Sequence, residues 1–295
     1  MKFLKNLSTL LLLSLSVSPE LMAKNSVKYG KLQESSQLSN PESAYYNLKS
    51  NQIFVSNVAG SPVGKDNKGW ISILDNKGKL LKEKWVEGLN APKGLRSFAD
   101  YLYVADIDQV VEIHIPTAKI TKKYEVKGAE FLNDVAVDKR GNVYVSDMFN
   151  GNVYQIAKRK VSVFLTASAL GELPNGLYID GNNLFIATWG SGIDKTTFAT
   201  KKSGRLLQVD LTSKKINPLT KEFGNLDGLE MTTSGEFLVS DWVHGKIFQV
   251  NKAGKVTLIH QGKQGLADIG FIRGDNSIIV PQMLENKAYI LKGNK

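Results

Sequence analysis

The sequence predicts an all-β protein built as a six-bladed β-propeller. Three observations carry this reading. One short phrase recurs six times, its spacing is that of a four-stranded unit, and the last unit is one strand short while a spare strand lies near the N-terminus. The phrase is an apolar strand ending in small or polar residues: Ile53-Phe54-Val55-Ser56-Asn57, Leu102-Tyr103-Val104-Ala105-Asp106, Val143-Tyr144-Val145-Ser146-Asp147, Leu184-Phe185-Ile186-Ala187-Thr188, Phe237-Leu238-Val239-Ser240-Asp241 and Ile278-Ile279-Val280-Pro281-Gln282. Their last residues are 49, 41, 41, 53 and 41 positions apart. A period near 41 with two insertions fits a propeller blade.

Each blade can be followed along the chain. A short apolar strand and a polar or Gly-containing turn precede the phrase, as in Val135-Ala136-Val137 with Gly141-Asn142, Leu177-Tyr178-Ile179 with Gly181-Asn182, and Leu229-Glu230-Met231 with Ser234-Gly235. These are hairpin signals. A third strand follows at 70–74, 110–114, 153–157, 206–209, 247–250 and 288–291. A fourth follows in five units, at 81–86, 120–126, 161–166, 216–220 and 256–260. The sixth unit stops after its third strand, so Val27 to Gln33 is expected to close the ring and cover the last sheet edge.

Composition agrees. The chain has 295 residues, 42% hydrophobic and 22% charged, which is the range of a soluble globular protein and long enough for a core without staples. It contains no Cys, which excludes disulfides, thiolate metal sites, iron–sulfur clusters and Cys nucleophiles. The formal charge is +10, but its cations are scattered along turns and strand ends. That pattern reads as a solvated surface rather than a nucleic-acid footprint.

Residues 1–23 read as a secretory signal peptide. Lys2 and Lys5 form the basic start, Leu7 to Val17 the apolar stretch, and cleavage is expected after Ala23. The alternative is an uncleaved anchor. The mature chain, 24–295, is then a single propeller in the periplasm or secreted, with a charge of about +9. No later segment is long and apolar enough to span a bilayer.

The chemistry sits at one phase of the repeat. Thirteen to fifteen residues before the end of each phrase stand Glu42, Lys93, Asn133, Asn175, Asp227 and Asp268. The first strand of each propeller blade lines the central channel, so these six side chains should converge near one end of it. Three carboxylates and two amides, with no His or Cys, suit a hard cation, and Ca²⁺ tolerates irregular geometry best. The competing reading is local, because Asn-Gly, Asn-Asp and Asp-Gly are ordinary turn pairs.

Four motifs carry a resemblance: Pro41-Glu42-Ser43, Phe131-Leu132-Asn133-Asp134, Leu173-Pro174-Asn175-Gly176 and Leu226-Asp227-Gly228-Leu229. With them, residues 40–292 resemble the gluconolactonase/regucalcin family and, more distantly, the paraoxonases and diisopropylfluorophosphatase. The resemblance implies a divalent-metal lactonase or esterase, with Glu42, Asn175 and Asp227 on the metal. It implies Asn133 as an outer ligand or substrate contact and Asp227 as a candidate general base. Ser43, Ala44 and Tyr46 replace the family's usual Gly-Pro-x-Trp after the metal Glu, and Phe131 stands where sugar-lactone enzymes commonly carry Arg. Lys93 adds a cation to the ring.

Around that set, Trp189 and Trp242 occupy equivalent turns and are expected to wall a pocket, with blade packing as the alternative. His244 lies in the turn after Asp241-Trp242 and is a candidate proton shuttle or an exposed turn residue. Lys93, Phe131 and Asp268 complete the candidate substrate contacts. Asp106, Asp147 and Asp241 recur at strand ends and are expected to accept backbone amides. Gly190 to Gly204 is a long insertion and a candidate lid. Two functions remain: a Ca²⁺-dependent hydrolase of a lactone or ester acting on a small molecule, and a non-catalytic exported propeller that binds a ligand or protein around a structural metal.

Overall fold

A computed structural model describes residues 29–35 and 37–293. The segment expected to be a signal peptide, the cleavage expected after Ala23, Val27 and Lys28 lie outside the described residues. Strand β1 (Tyr29–Ser35) comes first and belongs to the last blade. Blade 1 follows as β2 (Pro41–Asn47), β3 (Gln52–Asn57), β4 (Gly69–Asp75) and β5 (Leu80–Leu89). Blade 2 is β6 (Pro92–Phe98), β7 (Tyr101–Asp106), β8 (Gln109–His114) and β9 (Lys119–Glu125). Blade 3 is β10 (Leu132–Val137), β11 (Val143–Asp147), β12 (Val153–Ala157) and β13 (Lys160–Leu165). Blade 4 is β14 (Leu173–Asp180), β15 (Asn183–Gly190), β16 (Leu206–Asp210) and β17 (Ile216–Pro218), with the one-turn helix α1 (Ala167–Leu170) before it. Blade 5 is β18 (Leu226–Met231), β19 (Phe237–Asp241), β20 (Lys246–Val250) and β21 (Val256–Gln261). Blade 6 is β22 (Gly270–Ile272), β23 (Ser277–Gln282) and β24 (Lys287–Gly293), and β1 pairs antiparallel with β24 as its fourth strand. The six-bladed propeller read from the repeat is the fold.

Burial explains why the phrases read as continuous apolar runs rather than alternating ones. The second strand of each blade packs against a neighbour on both faces, and β11 and β19 are buried at every residue. Outer strands such as β9 alternate, one side facing solvent. Six apolar clusters fill the six gaps between consecutive blades. One of them joins Val55 and Leu74 of blade 1 to Ile279 and Ile290 of blade 6.

The ring is therefore closed twice. On the outside β1 completes blade 6. On the inside, Ser43 of blade 1 bridges Asp268 in parallel, with Ala44 N donating to Asp268 O at 3.2 Å and Asp268 N to Glu42 O at 2.9 Å. The closing strand is described from Tyr29 to Ser35, so it extends two residues past the expected end at Gln33. Backbone register decides this, since Tyr29 faces Gly293 and Ser35 faces Ala288.

Removing residues 29–35 strips the last blade of its fourth strand and leaves the β24 edge unpaired. We expect the melting temperature to drop by about 10 °C or more. An unchanged melting curve would mean that the outer closure adds no stability.

Candidate functional site

The side chains at the starts of the inner strands are aimed inward by a repeated irregularity. The ladder between first and second strand breaks between Pro41 and Ser43, Pro92 and Leu95, Leu132 and Val135, Pro174 and Leu177, and Leu226 and Leu229. Glu42, Lys93, Asn133, Asn175 and Asp227 sit inside these breaks. A bulge of this kind re-aims a side chain and frees backbone amides. Serines of the repeated phrase satisfy them: Ser56 Oγ accepts from Ser43 N at 2.9 Å, Ser146 Oγ from Asp134 N at 2.9 Å, and Ser240 Oγ from Gly228 N at 2.8 Å.

The same geometry decides against the turn-pair reading. Asn175-Gly176 and Asp227-Gly228 lie within β14 and β18, not in turns. A Cβ on Gly176 would stand 2.0 Å from Asp227 O, and one on Gly228 2.3 Å from Ile269 N. These glycines let adjacent inner strands meet. Strand-end residues then hold the segments leading into the site: Asp106 accepts from Ala91 N at 2.7 Å, and Asp147 from Phe131 N at 3.0 Å.

Glu42, Lys93, Asn133, Asn175 and Asp227 line one cavity of 360 Å³ together with Phe131, Trp189 and Trp242. Seven of them are buried and Trp242 is partly buried. Three oxygens of this set, Glu42 Oε2, Asn133 Oδ1 and Asn175 Oδ1, have no hydrogen-bond partner among the described residues. Asn175 is oriented by its other end, since Nδ2 donates to Leu226 O at 3.1 Å and to Asp227 Oδ1 at 3.0 Å. Burial pushes Glu42 well above the usual carboxylate range, and Asp227 beside it adds to the effect. Burial and the charge of Asp134 push Asp227 up to about 8. Such a set of buried acceptors is complementary to a hard cation. Among the described residues no three His, Cys, Asp or Glu side chains group as a metal site, so a cation here would depend on the two amides.

Lys93 gives its hydrogen bonds to other groups. Its Nζ donates to Pro62 O at 3.1 Å and Ala91 O at 2.9 Å and lies 4.3 Å from the centre of the Phe131 ring. Burial lowers its pKa to about 8, against the pull of Glu42 and Asp106. Asp268 is buried but is not a wall of the cavity. It accepts from Ser43 Oγ at 2.5 Å, and burial together with Asp134 raises its pKa well above the usual range. Lys93 thus takes two carbonyls and an aromatic ring as partners, rather than Asp268. His244 also lies outside the walls; its Nδ1 is 2.8 Å from Asp241 Oδ2 and half its side chain is in solvent.

The upper wall is aromatic. Phe131 stacks on Phe149 at 4.5 Å between centroids, and Trp189 stands 6.2 Å from Trp242. The blade 4 insertion supplies Phe198, whose ring meets Phe131 edge-on at 5.8 Å and lies 5.4 Å from Phe149. Phe198 also lines the cavity and holds φ 61°, a left-handed conformation that costs a bulky residue roughly 1–3 kcal/mol. Sequence reading missed Phe198 because it falls off the repeat phase, and it missed Met148 although Met148 follows its phrase by one residue, as Trp189 and Trp242 follow theirs. The pair of aromatics Phe149 and Phe198, one of them inside the insertion, was the available signal.

The far ends of the inner strands form a separate cavity of 280 Å³, lined by Tyr45, Arg96, Tyr178, Glu230 and Arg273. Arg96 Nη1 reaches Glu230 Oε1 at 2.6 Å, joining blades 2 and 5 across the channel. This link was not read from the sequence, because Arg96 and Glu230 stand at ordinary alternating positions.

No protein-family model matches the chain, and no curated protein does. Solved structures do. A streptogramin B lyase is 11% identical, with 90% of this chain and 97% of that one covered at a TM-score of 0.59. A selenomethionine-substituted virginiamycin B lyase from Staphylococcus aureus is also 11% identical, with coverage of 90% and 99% and a TM-score of 0.60. A catalytically inactive form of virginiamycin B lyase from Staphylococcus aureus with quinupristin is 13% identical, with coverage of 90% and 99% and a TM-score of 0.57. At this identity the likeness is one of fold. The resemblance to gluconolactonases has no family match behind it.

A pH dependence follows from Asp227. Without a cation, the folded protein keeps this carboxyl protonated up to about pH 8, while the unfolded chain releases the proton near its ordinary value of 3.8. The folded state holds more protons within that window, so stability falls as pH rises through it. The melting temperature of chelator-treated protein should decline from about pH 5 to about pH 8, and added Ca²⁺ should recover most at the upper end. Identical profiles with and without Ca²⁺ would show that these carboxylates do not face a cation.

Proposed function

We propose that this chain is an exported, divalent-metal-dependent hydrolase of a lactone or ester, working on a small molecule in the periplasm or outside the cell. The observation that carries this reading is the set of buried, unpartnered oxygens of Glu42, Asn133 and Asn175 beside the Asp227 carboxylate. Glu42, Asn133, Asn175 and Asp227 would hold Ca²⁺ or a similar hard cation. When bound, the ion supplies polarisation of the substrate carbonyl and stabilisation of the developing oxyanion.

The residues of the chain do the rest. Asp227 takes a proton from water while the water oxygen bonds to the carbonyl carbon, and returns that proton to the departing alkoxide as the C–O bond breaks. Asn175 fixes Asp227 for this step through its Nδ2 hydrogen bond. Lys93 and Phe131 wall the site, and Trp189 and Trp242 keep water from its upper half. Asp268 and His244 support the site from outside the cavity.

A second reading is a non-catalytic binding propeller with a structural cation. Lys93 favours it, because an ammonium facing the Glu42 charge weakens the pull on a metal. Asp227→Asn separates the readings by keeping the shape and removing the base. It should slow hydrolysis by about 10²–10⁴-fold in a lactone and aryl-ester screen, and weaken Ca²⁺ binding in calorimetry. Ca²⁺ should stabilise the wild-type protein by about 2.7 kcal/mol at a hundredfold excess over its dissociation constant. Equal Ca²⁺ affinity in the two proteins would remove the metal site and the hydrolase with it. Ca²⁺ binding without turnover of any lactone or ester would leave the binding propeller.

A further inference from the structure

We infer that Phe198 is the specificity-determining residue of this site, and that the site selects molecules whose polar group is attached to a flat aromatic body. The bearing of this on turnover rests on the hydrolase reading; the binding preference does not.

The segment from Gly190 to Gly204 is built to present one ring. Phe198 N donates to Asp194 O at 2.7 Å, and Trp189 Nε1 donates to Phe198 O at 3.0 Å, so the left-handed backbone is held on both sides. Asp194 Oδ1 accepts from Thr196 N at 2.8 Å and fixes the turn before it. Lys195 pairs with Glu130 of blade 3 and lies 5.4 Å from the Phe149 ring centre, anchoring the segment across the cavity mouth. A strained aromatic persists only where its surroundings over-determine it, and such residues cluster at ligand clamps.

What surrounds the ring sets the ligand chemistry. The floor offers acceptor oxygens, while Phe131, Met148, Phe198, Trp189 and Trp242 offer carbon faces. Lys93, the cation of this wall, is occupied by Pro62 O, Ala91 O and the Phe131 ring. A hydroxyl-rich ring would find partners on the floor and at Asn40, Thr197 and Gln264, but hydroxyls turned to the carbon wall of Phe131, Met148, Phe198, Trp189 and Trp242 would stay unpaired, at a cost in binding. A flat aromatic body gains offset or edge contacts with the wall instead.

The test uses the mature protein and 4-nitroacetanilide, an amide that resists turnover and whose binding is read by quenching of Trp189 and Trp242. Wild type should bind it more tightly than acetamide. Phe198→Gly, which relieves the backbone, should bind it roughly tenfold more weakly. Phe198→Leu keeps an apolar side chain without the flat face, and should also lose binding if Phe198→Gly fails to fold. In parallel, the ratio of turnover of phenyl acetate to that of γ-butyrolactone should drop in both variants. Unaltered 4-nitroacetanilide binding in the folded variants, or no binding to wild type, would overturn the inference. Binding without any hydrolysis would sink the hydrolase reading and leave the inference standing. Turnover of glucono-δ-lactone with no binding of the anilide would do the reverse.

Discussion

Every blade of this molecule has two apolar faces and only its neighbours to cover them. The apolar clusters lie between blades rather than within them, so no blade is stable by its own packing. Closure of the circle is the constraint from which the remainder follows. It forces the inner strands so close that Gly176 and Gly228 have no space for a side chain, and it breaks their ladders at the residues that face the channel. The serines of the repeated phrase serve these breaks. The site is thus a by-product of making a ring from flat sheets.

The electrostatics of the channel point the same way. Glu42, Asp134, Asp227, Asp268 and Glu230 are buried along it, facing the cations Lys93 and Arg96. Arg96 is committed to Glu230, and Lys93 to backbone carbonyls. Desolvation raises Glu42, Asp134, Asp227 and Asp268 together. So dense a group of buried acids is stable either protonated or beside more positive charge than Lys93 and Arg96 bring to it.

The blades, their four strands and the donated closing strand were legible because a propeller repeats one burial pattern, and the repeat phase located the ring of polar residues. What escaped depended on non-repeating contacts. The direction of Lys93 is set by the Pro62 carbonyl on the segment between β3 and β4, which no periodicity marks. Asp268 follows the ring in phase but turns to Ser43 across the blade 6 to blade 1 seam. His244, two residues beyond a cavity wall, folds back on Asp241. Phe198 enters the site only through the path of an insertion, whose conformation depends on a tryptophan indole and an aspartate turn.

The closing strand also has a temporal meaning. β1 leaves the ribosome before every other described strand, yet its partner β24 is made after all of them. Joining Tyr29 to Gly293 directly would carry a loop-closure cost on the order of 5 kcal/mol. Stacking of the blades meets most of that cost beforehand, by bringing the two strands to the same seam. Until then β24 presents an open edge, and the nascent protein spends that interval with its own first strand as the segment that must find it.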